Sequence, residues 1–182
     1  MGQYYRVIFL SDTKYKKEII RIWLSPWDYD NGSKLTEHSY IGNKLVNAVE
    51  KLLSPSGMFY KSRIVWAGDY ADTEEETRQN LYHMVDESKP FYISPTNNNY
   101  RYFINHTKNE YVDKIKINDL MSNDGLIINP LPLLVSEGNG RGSGDYKGHD
   151  EEMCGRWARD IISVENECPD DYSEITPRFR EL

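Results

Sequence analysis

The densest run of residues able to do chemistry is Ser136-Glu137-Gly138-Asn139-Gly140-Arg141-Gly142-Ser143-Gly144-Asp145-Tyr146. Glycines at alternate positions let a backbone take positive φ and turn several amides toward one point. Such a nest suits a phosphate or a carboxylate, and Arg141 in its middle can add a two-pronged grip. The run lacks Gly-Lys-Ser/Thr and misses the Gly-x-Gly-x-x-Gly spacing, so it matches neither common nucleotide fingerprint. The competing reading is a surface loop whose glycines serve only tight turns.

Two further segments carry candidate groups. Trp66-Ala67-Gly68-Asp69-Tyr70-Ala71-Asp72 places a carboxylate after a glycine, and Asp145-Tyr146 repeats the Gly-Asp-Tyr triplet. Paired carboxylates can exchange protons or hold a divalent ion. Equally, Asp after Gly can cap a turn. Glu37-His38-Ser39-Tyr40-Ile41-Gly42-Asn43 precedes an amphipathic run, where a helix start offers free amides to an anion and His38 can titrate near neutrality. No histidine pair has ligand spacing and there is no Cys-x-x-Cys, so no metal is expected, and no cofactor is required. Gly-x-Ser-x-Gly is absent, so a hydrolase using Asp69, Asp145 or His38 stands as a further alternative.

These segments must be positioned by a chain of 182 residues, which suits one domain over 1–182. Tyr4–Leu10 reads as a strand, with Glu18–Leu24 pairing back on it. Leu45, Val46, Ala48, Val49, Leu52 and Leu53 mark one helix face, with Asn43 as its N-cap and Ser54-Pro55 as its stop. Arg63–Ala67 is a short strand. Thr73-Glu74-Glu75-Glu76 predicts a capping box and a helix to about Asp86. Tyr100–Ile104, Glu110–Ile117 and Arg159–Glu165 complete the strands, joined by a polar linker over Ser94–Asn99. Strands and helices do not alternate, so the fold class is α+β: a compact mixed or antiparallel sheet with two main helices.

The sequence also echoes itself. Tyr5-Arg6, Phe9 and Thr13-Lys14 resemble Tyr100-Arg101, Phe103 and Thr107-Lys108, and Arg63–Asp69 resembles Arg156–Asp160. Two pseudo-equivalent halves, about 1–90 and 98–182, are expected to pack about a pseudo-twofold with their Trp-Ala-x-Asp ends facing one another.

Composition narrows the function classes. Lys+Arg 22 against Asp+Glu 29 gives a net charge of −7, which disfavours bulk binding to nucleic acid. No apolar run can cross a membrane, and the first residues do not form a signal peptide, so a cytoplasmic protein is expected. Acids crowd 69–87 against Arg78 alone, and 150–174 against Arg156 and Arg159. They make either a solvated face or a surface for a basic partner. Trp23, Trp27 and Tyr29 could form an oligomer patch.

Taken together, the Met1-Gly2-Gln3-Tyr4-Tyr5 start, the Lys34–Asn43 element, Trp66–Asp72 and the Gly138–Tyr146 loop followed by Trp157-Ala158-Arg159-Asp160 resemble a family of small uncharacterised bacterial and phage proteins. The resemblance covers most of the chain. It implies an accessory role of the kind phages and mobile elements carry, in host takeover or anti-defence, and it supplies no catalytic residues. The expected function is binding of a small phosphorylated or nucleotide-like molecule. Its site would join Glu37, His38 and Asn43; Trp66, Asp69 and Tyr70; and Gly138, Asn139, Gly140, Arg141, Gly142, Gly144, Asp145 and Tyr146. Trp66, Trp157 or Tyr146 would supply a stacking face. The alternative is an acidic inhibitor acting on a host protein.

Overall fold

The computed structural model describes residues 2–11, 20–121, 125–139 and 146–180. Strand β1 (Tyr5–Leu10) sends Tyr5, Val7 and Phe9 into the main core and Ile8 and Leu10 into a second cluster, so both faces are buried. Strand β2 (Ile20–Leu24) pairs back on it antiparallel, with Val7 opposite Leu24 and Phe9 opposite Ile22. Strand β3 (Ser62–Gly68) takes the other edge of β1, also antiparallel, from Tyr5–Gly68 to Leu10–Arg63.

The second half repeats this plan. Strands β4 (Tyr102–Asn105) and β5 (Glu110–Asp113) form a hairpin, and β7 (Ile161–Glu165) pairs antiparallel with β4 from Tyr102–Glu165 to Asn105–Ile162. The halves meet where β3 and β7 pair antiparallel through Ser62–Ile162 and Arg63–Ile161. The order is therefore β2-β1-β3-β7-β4-β5-β8, with β8 (Ser173–Glu174) parallel to β5. Short β6 (Ser136–Glu137) runs parallel to β3 beside Trp66 and Ala67. The α+β class stands, as one mixed eight-stranded sheet with five helices among the described residues.

The paired strands β1–β2 and β4–β5 occupy equivalent places in the sheet, but the third strands do not match as the echo predicts. Leu10 pairs with Arg63 while its counterpart Asn105 pairs with Ile162, so Arg63 matches Ile162 and not Arg156. Trp157–Asp160 forms the turn leading into β7, with Arg159 at φ 65°. The Trp-Ala-x-Asp ends do not face one another. The Asp69 carboxylate accepts the Tyr4 amide at 3.1 Å, whereas Asp160 pairs with Asn105 and Lys108.

Helix α1 (Leu35–His38) is one turn, and α2 (Lys44–Leu53) is the helix the periodicity predicts. Asn43 Oδ1 accepts the amides of Leu45 at 2.9 Å and Val46 at 3.4 Å, and all six predicted inward residues are buried. Each large aliphatic side chain so buried contributes about 1.5–3 kcal/mol. Ser54 caps the other end on the Lys51 carbonyl at 2.8 Å.

Elsewhere long-range contacts override local signals. Residues 73–80 are irregular with a turn over 75–77, and only α3 (Leu81–Met84) is helical, capped by Asn80. The Glu74 carboxylate is drawn to Arg159, and its amide donates to the Gln79 carbonyl at 2.9 Å, so the helix expected from Thr73 does not form. The strand expected over Glu110–Ile117 stops at Asp113, whose side chain accepts the Ile115 amide at 3.0 Å and opens α4 (Lys114–Met121). The apolar stretch with two prolines folds as α5 (Pro130–Leu134), where a proline in the first turn needs no amide partner. No helix among the described residues is long and apolar enough to cross a membrane. Of the three aromatics expected in a patch, Trp27 is 73% exposed, while Trp23 and Tyr29 are buried.

Candidate functional site

The fold brings the ends of the three predicted segments together. Ala67 pairs with Glu137, so the glycine-rich loop leaves β6 beside Gly68. A Cβ on Gly68 would lie 2.7 Å from the Glu137 carbonyl oxygen, which is the close approach that requires glycine there. At the loop's far end Tyr146 lines one small cavity with Leu35, Thr36 and Ser39. Residues 140–145, including Gly140, Arg141, Gly142, Gly144 and Asp145, lie outside the described residues. Gly138 is buried and Asn139 exposed.

The groups expected to touch a ligand are mostly committed inside the protein. Trp66 and Trp157 are fully buried, so neither offers a ring face; their indoles donate to His38 Nε2 and Glu110, each at 2.8 Å. Tyr146 is buried too, its single hydroxyl proton shared between the carbonyls of His149 at 2.8 Å and Arg180 at 2.9 Å, and burial pushes its pKa up to about 12. Glu37 closes a capping box on the Lys34 amide at 2.9 Å. Asn43 is a helix cap, and Asp69 caps the start of β1. Tyr70 is 48% exposed.

His38 is corrected most sharply. An indole N–H only donates, so Nε2 must be the bare nitrogen and Nδ1 carries the proton toward the Gly32 carbonyl at 3.0 Å. Burial lowers its pKa to about 4, against smaller opposing effects of the Gly32 carbonyl and Glu37. His38 therefore stays neutral at physiological pH and pins α1 to β3.

A second histidine, unremarked in the sequence, joins a denser network. Ser163 Oγ lies 2.7 Å from His106 Nε2 and donates to Glu165 at 2.6 Å. The Tyr60 hydroxyl donates to the same carboxylate oxygen at 3.0 Å, and the Tyr172 hydroxyl lies 3.2 Å from His106 Nδ1. The one proton of Ser163 goes to Glu165, so His106 donates from Nε2 and accepts from Tyr172. A serine nucleophile needs the opposite arrangement, with its own proton on the base. Ser163 is also fully buried. Burial, with Lys61 nearby, holds the His106 pKa below its ordinary value despite Glu165. The network ties β7 to the turn after β4 and to Tyr172.

Open polar chemistry is found instead in a cleft of about 480 Å³ between the start of α2, the extended segment 97–101 and α4. That volume suits a small-molecule ligand. Five asparagines line it: Asn47, Asn97, Asn98, Asn99 and Asn118. The Asn98 amide donates to the Asn47 carbonyl at 2.7 Å, which fixes the extended segment against α2. Lys114 and Glu50 form a buried ion pair at 2.8 Å on the wall, and Asn129 donates to the other Glu50 oxygen at 3.0 Å. Arg101 grips Asp113 through Nε and Nη2, with Nη2 at 2.8 Å. Burial pushes the Asp113 carboxyl up, but Arg101 and the amides of Ile115 and Lys116 outweigh it and hold it below its ordinary value. Among the described residues the charged side chains of the lining are Glu50, Arg101 and Lys114, with Lys114 paired to Glu50 and Arg101 to Asp113.

Pattern reasoning passed over this site because Ser94–Asn99 reads as a linker. The available signals were the run Asn97-Asn98-Asn99, and Asn47 and Glu50 set inside a strongly apolar helix. Among the described residues no group of three or more His, Cys, Asp or Glu side chains could hold a metal ion. No protein-family model matches this chain, and neither a curated protein nor a solved structure shows significant similarity to it. The resemblance to small bacterial and phage proteins rests on its motifs alone.

Proposed function

We propose that the protein is a binding module for a small nucleotide-like ligand, seated in the cleft between α2, residues 97–101 and α4. The observation that carries this reading is the lining itself: five amides, a tyrosine and two cations around about 480 Å³. Amides offer donors and acceptors side by side, as a heterocycle or a sugar requires. Tyr100 supplies a ring to lie against. The fork of Arg101 is spent on Asp113 through Nε and Nη2, which leaves Nη1 toward a phosphate at the rim.

The test is calorimetric titration with nucleosides and their 5′-monophosphates, on wild type and Arg101→Gln. Gln can still donate to Asp113, which preserves the wall. The phosphate should improve wild-type affinity by about tenfold, as one charge-assisted contact does, and the variant should lose that gain. No binding of any member, or a phosphate gain that Arg101→Gln leaves intact, overturns the assignment. The alternative of an acidic inhibitor draws on the exposed Glu151, Glu152, Asp170 and Asp171. It requires capture of a basic host protein that weakens with salt and with charge reversal at these four residues.

A further inference from the structure

We propose that α4 reads the lactam edge of an oxo-nucleobase in this cleft, a ring N–H beside a carbonyl, through Lys114 and Asn118. The inference rests on the cleft being the ligand site. Lys114 and Asn118 are four residues apart on α4, so their side chains share one face, and both line the cleft. Lys114 is buried, and among the described residues one of its three N–H groups is hydrogen-bonded, to Glu50. The ammonium also lies 4.9 Å from the centre of the Phe103 ring. Both Glu50 oxygens accept a hydrogen bond inside the protein, from Lys114 and Asn129. Among the described residues Asn118 Oδ1 is buried without a hydrogen-bond partner, an arrangement that costs stability until a donor arrives. A half-turn about its broad terminal torsion exchanges Oδ1 with Nδ2, so the amide lining the cleft can offer an acceptor or a donor.

The wall then presents a cationic donor beside an amide that can offer its oxygen. Its complement is a carbonyl oxygen next to an N–H, as in hypoxanthine, guanine and uracil. Adenine and cytosine invert the pattern, placing an amino group where the carbonyl stood and a bare ring nitrogen where the N–H stood. Asn118 can answer the inversion by turning its amide over. Lys114 cannot, because an ammonium has no acceptor. Discrimination therefore falls mainly on Lys114, with Asn118 adding to it.

The experiment compares inosine with adenosine 5′-monophosphate, and uridine with cytidine 5′-monophosphate, by calorimetry on the wild-type chain and on Asn118→Leu. In whichever ring size binds, the oxo member should bind at least about tenfold tighter, the usual consequence of leaving buried polar groups unpaired. Asn118→Leu should keep the thermal midpoint at or above wild type, since it removes an unpaired amide, and should narrow the preference severalfold. Equal affinities, or preference for the amino member, overturn the base reading while leaving the cleft as the ligand site. A preference unchanged in Asn118→Leu overturns the role of Asn118. No binding of all four nucleotides overturns both the base reading and the cleft.

Discussion

The neutral state of His38 makes stability depend on pH in a calculable way. An unfolded histidine titrates near 6.5, whereas burial lowers the folded value to about 4. Between those values the unfolded chain binds the extra proton, so stability rises with pH across the window and falls as pH drops through it. The separation of about 2.5 units, at about 1.4 kcal/mol each, makes the loss about 3 kcal/mol by pH 4. Carboxylates such as Asp113 and Glu110, whose folded pKa values also lie below ordinary, lose stability as well when acidified. A variant is therefore needed to isolate the histidine. His38→Gln places a non-titrating oxygen where Nε2 accepts the Trp66 indole and loses the bond to Gly32, at a cost of about 1 kcal/mol at pH 7. Urea unfolding of both chains from pH 7.5 to pH 4 gives the difference at each pH. Wild type should be the more stable near neutrality, and its advantage should shrink and reverse by about 3 kcal/mol in total toward pH 4. A difference that stays flat across this range, or an NMR titration placing His38 near 6.5, would refute the buried neutral tautomer.

Other perturbations have equally definite outcomes. Asn43→Ala should cost about 1 kcal/mol by loss of the α2 cap, read as a lower urea midpoint with an unchanged slope. Lys114→Met strands the buried Glu50 carboxylate and should cost about 3–5 kcal/mol, whereas Lys114→Met with Glu50→Leu should recover most of it in a double-mutant cycle. Ser163→Ala breaks the link between His106 and Glu165 and should destabilise by about 1–3 kcal/mol, with nucleotide titrations in the cleft unchanged.

What the sequence makes legible follows from how local the determining interactions are. β1 and α2 are specified by their own periodicity and by Asn43, and their observed bounds agree with that pattern. The helix expected after Thr73 is undone by Arg159, a partner eighty-five residues away that takes the Glu74 carboxylate. The end of β5 turns on Asp113, which serves both as a helix cap and as the Arg101 partner. The Trp-Ala match is coincidental in register, because Trp157 lies in a turn and Trp66 in a strand. For the site, residue type alone misled. His38, Trp66, Trp157 and Tyr146 are groups that do chemistry elsewhere, yet here each meets its hydrogen-bonding needs in the interior. The cleft is built by an extended segment folding back on α2 and by a helix that begins where a strand was expected, and neither leaves a periodic signature.

The most direct test of the cleft assignment is an amide NMR titration of the ¹⁵N-labelled chain with inosine or uridine 5′-monophosphate. Saturable shifts of the Asn47, Asn97, Asn98, Asn99 and Asn118 side-chain amides are expected, with the Gly138 and Asn139 backbone signals unmoved. Shifts confined to Gly138, Asn139 and the loop that follows, or none at all at millimolar ligand, would contradict it.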